Sequence, residues 1–207
     1  MNAMFISDTC GQHNDVLLPR GDMIVHAGDL TKNGTVAEVR DFLRWFARLD
    51  YKYKIFIAGT RDHLFEQDPG LTRRLVPANV TYLEDSGVEI GGLKIWGSPY
   101  NPYRSGNAFS KTTEEIAKHW DKIPEDSNMI IINTPAYGVL DENENGEHEG
   151  CKELLRKLVR IEPTYFVCGH RHSDHSYEYH YGIHFINASL TNDEFKIMHK
   201  PVFRWYP

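Results

Sequence analysis

Apolar positions along this chain fall into two alternating patterns. Short runs rich in β-branched and aromatic residues recur at 3–7 (AMFIS), 23–28 (MIVHAG), 54–59 (KIFIAG), 129–132 (MIII) and 164–169 (TYFVCG). Runs so short and so continuously apolar predict strands buried on both faces of a sheet. Between them the period lengthens to that of a helix. Thr35-Val-Ala-Glu38 is a capping box, with Val36, Val39, Phe42, Leu43, Phe46 and Leu49 following at helical spacing. Thr112-Thr-Glu-Glu115 repeats the signal ahead of Ile116, Ala117 and Trp120. A third stripe puts Cys151, Leu154, Leu155, Leu158 and Val159 on one face. More strands are predicted at 80–83, 88–90, 93–96, 177–180, 183–187, 195–199 and 202–206, with Gly91-Gly92 as a hairpin turn. Helix-linked strands early and hairpins later imply an α/β architecture of two sheets packed face to face, with helices on their outer faces.

Composition narrows what such a fold can do. With 207 residues, 41% of them hydrophobic and 25% charged, the chain is expected to form one domain spanning 1–207. The polar stretch 141–149 (DENENGEHE) reads as an exposed loop, not a domain boundary. No apolar run approaches the ~20 residues that cross a membrane. The N-terminus lacks the basic flank and apolar core of a secretory signal, so a cytoplasmic location is predicted. Cys10, Cys151 and Cys168 are too few and too scattered for a disulfide framework. Lys and Arg number 23 against 29 Asp and Glu, a net charge of −6. That balance argues against a general nucleic-acid or anionic-membrane binder. A small phosphate-bearing ligand would have to be met by a local site.

The candidate chemistry sits where the buried strands end. AMFIS leads to Asp8, MIVHAG to Asp29, KIFIAG to Thr60-Arg61-Asp62, MIII to Asn133 and TYFVCG to His170-Arg171-His172. The carboxyl edge of an open α/β sheet is where ligands bind. Gly28, Gly59 and Gly169 precede three of these positions, as expected where the chain turns close to a bound group. Any one motif is weak, but two carboxylates and two imidazoles arriving at one edge form a donor set suited to Mn, Fe or Zn. Pairs of such ions ~3.5–4 Å apart are a common device for hydrolysing phosphate esters.

With Phe5-Ile6-Ser7-Asp8-Thr9, Gly28-Asp29-Leu30-Thr31, Gly97-Ser98-Pro99-Tyr100, Asn133-Thr134-Pro135, Gly138-Val139-Leu140-Asp141, Gly150-Cys151, Gly169-His170-Arg171-His172 and Phe185-Ile186-Asn187-Ala188-Ser189, the sequence resembles the calcineurin-like metallophosphoesterases. Within that family it is similar to the small metallophosphoesterase-domain branch over nearly the whole chain. The resemblance implies a four-layer α/β/β/α sandwich and a divalent-metal site. Asp29 would bridge two ions, with Asp8 and His172 on one and His170 on the other. Cys10 stands where the family has histidine, and Gly59-Thr60-Arg61-Asp62 where it has Gly-Asn-His-Asp/Glu. The family's metal-binding asparagine is thus Thr60, and its leaving-group histidine is Arg61, beside Asp62 in the catalytic loop. A further metal-binding histidine has become Asn133.

These differences have chemical consequences. Asp8, Asp29 and His172 with a Cys10 thiolate can hold one ion, Cys favouring Zn; alternatively Cys10 is an inert buried thiol. At the second position Thr60 and Asn133 are poorer donors than imidazole, so one ion instead of two, or none, is expected. Arg61 keeps its proton at physiological pH and cannot act as a general acid, yet it can grip phosphate through two parallel hydrogen bonds. In the plainer alternative it points into solvent. His13 and His63 are minor substitute ligands, and Tyr103, Arg104 and Asn107 candidate ligand contacts. Two functions remain: a slow metal-dependent phosphodiesterase, or a non-catalytic protein that binds a phosphate ester, a nucleotide or a protein partner.

Overall fold

The computed structural model describes residues 1–102 and 106–205. Tyr103, Arg104 and the end of the predicted strand at Tyr206 lie outside them. Strands β1 (Asn2–Ile6), β2 (Met23–Ala27), β3 (Tyr53–Ile57) and β4 (Thr81–Tyr82) run parallel, and β11 (Val202–Trp205) pairs antiparallel with β1, giving the order β11-β1-β2-β3-β4. The second sheet has the order β5-β6-β7-β8-β10-β9. Its parallel centre is β6 (Leu93–Ser98), β7 (Met129–Ile132), β8 (Tyr165–Cys168) and β10 (Ile183–Asn187). Its antiparallel edges are β5 (Ser86–Ile90) and β9 (Ser176–His180).

The strands are apolar on both faces because each face meets a different layer. In β2, Met23, Val25 and Ala27 join Ala3, Phe5, Ile55, Ile57, Met129, Ile131 and Val167 in a core between the sheets. Ile24 on the opposite face packs with Met4, Ile6 and Phe56 beneath α1 (Val36–Arg48). In β7, Ile130 and Ile132 turn outward to α4 (Thr113–Asp121) and α5 (Lys152–Ile161), where Ile116, Trp120, Leu154 and Leu158 cover them. Helix, sheet, sheet and helix therefore stack in the expected four layers. Each fully buried Phe, Ile or Val contributes ~1.5–3 kcal/mol from water exclusion.

Both capping boxes form: Thr35 and Thr112 each accept from the amide three residues on, and Glu38 and Glu115 reach back. The Gly91-Gly92 hairpin joins β5 to β6, with φ of 57° and 84°. Three expectations need correction, and two helices were not foreseen. Val159 is exposed, since α5 turns its stripe through Leu154, Lys157 and Leu158 instead. No strand forms at 195–199: Phe195 has φ +62°, and the Asn192 side chain accepts from the Glu194 and Lys196 amides, curling the chain into a turn. Two short helices, α2 (His63–Gln67) and α3 (Pro69–Leu75), follow β3. Asp141 is fully buried, not part of an exposed loop; it accepts from the Gly138 and Gly150 amides and anchors the acidic stretch. Among the described residues no helix is long and apolar enough to cross a membrane.

Candidate functional site

The carboxyl ends of β1, β2, β3, β7 and β8 meet at one rim, stitched across the two sheets. Ser7 bridges Ser189, the His170 amide reaches Asp8, and Asn133 Nδ2 donates to the Ala27 carbonyl at 2.9 Å. The backbone here is unusual. Asp8, Cys10, Asp29 and His170 are all left-handed, with φ of 53°, 44°, 55° and 69°. Each costs ~1–2 kcal/mol for a residue with a Cβ, and such outliers persist where surrounding contacts fix them, often at functional positions. Glycines make the crowding possible: a Cβ on Gly59 would lie 2.3 Å from the Asp29 amide nitrogen and 2.4 Å from its carboxylate, and one on Gly169 2.0 Å from Ser7 Oγ and 2.3 Å from the Asp8 carboxylate.

Asp8 is buried and well supplied with donors. Its oxygens accept from the His170 amide at 2.9 and 3.1 Å and from Ser189 Oγ at 2.8 Å. His172 Nε2 lies 3.6 Å away, and its Nδ1 faces Asp193 at 2.8 Å. Burial opposes ionisation of Asp8, but the His172 hydrogen bond and charge prevail and hold the carboxyl well below the usual carboxylate range. Burial likewise opposes charge on His172, and Asp8 and Asp193 together push its pKa up. A carboxylate on the outer ring nitrogen fixes the orientation of a site histidine.

Asp29 has different company. Thr60 Oγ1 donates to both its oxygens at 3.0 and 3.2 Å, and the Arg61 amide donates at 2.8 Å. His170 Nδ1 stands 3.9 Å off. Asn133 is buried; its Nδ2 is used on Ala27, while Oδ1 has no partner. Cys10 is buried, and burial, then Asp29 and Asp8, drive its thiol far up, the state of a protonated Cys.

Asp62 turns inward, away from solvent. It accepts from the Gly59, Leu30 and Thr31 amides and from Thr31 Oγ1 at 2.7 Å, clamping the loops after β2 and β3 together. Burial and the nearby Asp29 push its pKa up to about 7. Arg61 is half-buried and does not simply face solvent: its guanidinium rests over the Phe195 ring at 4.6 Å, with Lys32 Nζ 4.7 Å from the same ring. The loop of Asn107 borders the rim, since the Ala108 amide donates to the Thr60 carbonyl. His13 is turned away against Phe42, Trp45 and Asp41, and His63 opens α2.

Sequence reasoning missed Asp193, which precedes the stretch read as strand, Phe195, which opens that stretch, and the part played by Ser189. For Ser189 there was a signal, a polar residue just past β10; for the other two there was none. The expected donors thus reach one rim as two acid–imidazole pairs, Asp8 with His172 and Asp29 with His170. Among the described residues no three His, Cys, Asp or Glu side chains are gathered closely enough to hold a metal ion.

Comparison with known proteins gives the rim a context. No family model matches the chain. It is similar to UPF0046 protein K07C11.7 of Caenorhabditis elegans, 34% identical over 220 residues, covering 100% of this chain and 76% of that protein. UPF0046 protein C25E10.12 of the same organism is 31% identical, over 95% of this chain and 78% of its own length. Human Metallophosphoesterase domain-containing protein 1 is 29% identical over 222 residues, covering 95% of this chain and 68% of that protein. Among solved structures, TT1561 of Thermus thermophilus superposes with a TM-score of 0.62 at 10% identity, over 90% of this chain and 88% of that one. At that identity it shares the fold alone.

Proposed function

This chain belongs to the calcineurin-like metallophosphoesterases, in the branch of the UPF0046 and metallophosphoesterase-domain-containing proteins, and from that premise we propose that its own phosphodiester hydrolysis is weak or absent. The family implies a divalent metal, which when bound supplies Lewis-acid polarisation and an activated hydroxide. The donors present do not fit a dinuclear centre. The observation that carries this reading is the company of Asp29: the residue that would bridge two ions instead accepts hydrogen bonds from Thr60 and the Arg61 amide. Beyond His170, the second position adds only a hydroxyl at Thr60 and an amide at Asn133, a set short of the imidazoles that borderline metals favour. At the first position Cys10 is buried beside Asp8 and Asp29, which raise its thiol pKa, so a thiolate there would form only with a metal to displace its proton. At the leaving-group position Arg61 holds its protons too tightly to act as a general acid. In this reading Asp62 positions the loops and does not touch the ligand.

What the rim retains is anion recognition. Arg61 and Lys32, both set on Phe195, favour a second reading in which the site binds a small phosphate ester without turning it over. The test measures metal content and hydrolysis of bis(p-nitrophenyl) phosphate with Mn or Zn. The parent is compared with the variant carrying Cys10→His, Thr60→Asn, Arg61→His and Asn133→His. The parent is expected to hold at most one ion and turn over little, and the variant to gain two ions and activity. Two tightly held ions and rapid turnover in the parent would overturn the proposal. In the binding reading, Arg61→Ala weakens p-nitrophenyl phosphate binding about tenfold, a loss of ~1.4 kcal/mol.

A further inference from the structure

Away from the rim, α1 carries Arg40, Arg44 and Arg48 on one stripe at i, i+4 and i+8. All three are exposed, and none has an ion pair or hydrogen bond among the described residues. Elsewhere some cations of this acidic chain are paired, such as Lys94 with Asp126, Lys122 with Asp85, Lys157 and Arg160 with Glu125, and Arg171 with Glu149; what sets the stripe apart is three arginines on one helix face, unpaired among the described residues. Like charges at i, i+4 on a helix repel by ~0.2–0.5 kcal/mol per pair, so the stripe is unfavourable for the isolated fold. Neither acid of the helix pairs with the stripe: Glu38 is taken up by its capping box, and Asp41 lies 3.2 Å from His13 Nε2.

The stripe borders a groove of about 360 Å3 whose lining is otherwise apolar, Leu43 and Ala47 from α1 with Leu75 and Pro77 opposite. Asn79 Nδ2 donates to the Ala47 carbonyl, joining the two walls at 3.0 Å. We propose that this groove docks an extended acidic segment of a partner protein, its carboxylates on Arg40, Arg44 and Arg48 and its alternate apolar side chains against Leu75 and Pro77.

Spacing and charge both favour this occupant. At 1.5 Å per residue the three arginines span ~12 Å along the helix. Carboxylates at i, i+2 and i+4 of an extended chain span ~13 Å, with the intervening side chains on the opposite face. A nucleic-acid strand is the less suitable polyanion: the groove lining offers no aromatic platform for bases, and the net charge of −6 opposes a long phosphate chain.

The experiment uses the whole chain and a fluorescein-labelled peptide of seven residues alternating glutamate and valine, followed by fluorescence anisotropy at low ionic strength. Saturable binding is expected. It should weaken at least tenfold in the triple variant Arg40→Gln, Arg44→Gln, Arg48→Gln, and disappear for a peptide with glutamine in place of glutamate. Glutamine keeps the helix propensity, so the variant should melt no lower than the parent. No binding, or equal binding by the variant, would overturn the proposal. So would a variant that melts markedly lower, because the arginines would then be holding the fold. Equal or tighter binding of an oligothymidylate of the same charge would overturn it in favour of a general polyanion site. Self-association of the parent, lost in the variant, would overturn it in favour of a second copy of this chain as the occupant.

Discussion

Asp8 and Asp29 hold matching places, each just past a parallel strand, each left-handed, each pressed on by a glycine of a neighbouring strand end. Their surroundings differ. Asp8 faces an imidazole that is itself held by Asp193, with a hydroxyl and an amide filling its remaining lone pairs. Asp29 faces a threonine hydroxyl and a backbone amide, with the nearest imidazole nitrogen 3.9 Å away. Backbone architecture and donor chemistry are therefore separable: the same geometry presents both carboxylates, while the side chains around them differ.

The comparison can be broken first at its shared element. Gly169→Ala and Gly59→Ala each drive a Cβ into a buried carboxylate, and each should cost about 3 kcal/mol or more by thermal or denaturant unfolding. Gly146→Ala, at φ +75° but in open space, should cost only ~1 kcal/mol. If the rim glycines prove as tolerant as Gly146, the carboxylates are not held as described.

A second effect lies behind the Asp8 half, where buried His26 meets Thr9 Oγ1 at 3.0 Å. Burial lowers the His26 pKa from 6.5 to about 3. The unfolded chain takes up its proton first as pH falls, so this contribution is complete above pH 6.5. It should fade by about 1.4 kcal/mol per pH unit between 6.5 and 3. A His26→Gln variant should lack that slope in unfolding measured across pH 4–7.

Donor removal sharpens the contrast between the halves. Thr60→Val takes the hydroxyl from Asp29 without opening a cavity and should cost about 2 kcal/mol. Ser189→Ala leaves Asp8 its amide and imidazole and should cost nearer to ~1 kcal/mol. The reverse order would mean that Asp8 is the poorer-served acid. The smallest effect is expected at exposed Asp193: Asp193→Ala should change stability by no more than ~0.5 kcal/mol. It should still lower the His172 pKa, read by NMR titration.

The pattern of the sequence foretold the parts whose signal is local. The five strand ends, both capping boxes and the Gly91-Gly92 hairpin depend on neighbours a few residues away, and all three features formed. α2 and α3 were missed because five and seven residues are too few to show a helical period, and Pro69-Gly70 inside α3 reads as a turn. The stretch 195–199 alternates like a strand, but Asn192 takes the Phe195 amide on its carbonyl and the Lys196 amide on its side chain, and a left-handed Phe195 turns it. Asp141 looked like its acidic neighbours; only the amides of Gly138 and Gly150 single it out. At the rim, residue identities were legible and pairings were not, because Asp193 and Phe195 find His172 and Arg61 only after the fold is complete.

The partners of Asp8 lie far along the chain: the His170 amide is 162 positions away, Ser189 181 and Thr191 183. During synthesis at roughly 5–20 residues per second, about ten seconds or more separate the emergence of this acid from that of its donors. The first sheet must therefore wait with one of its most crowded loops bare until Ser189 and Thr191 have emerged. A chain cut short just before Ser189 would keep most of its helices and strands, but lack the hydroxyl that Ser189 gives that carboxylate and the one that Thr191 gives the Asp8 carbonyl.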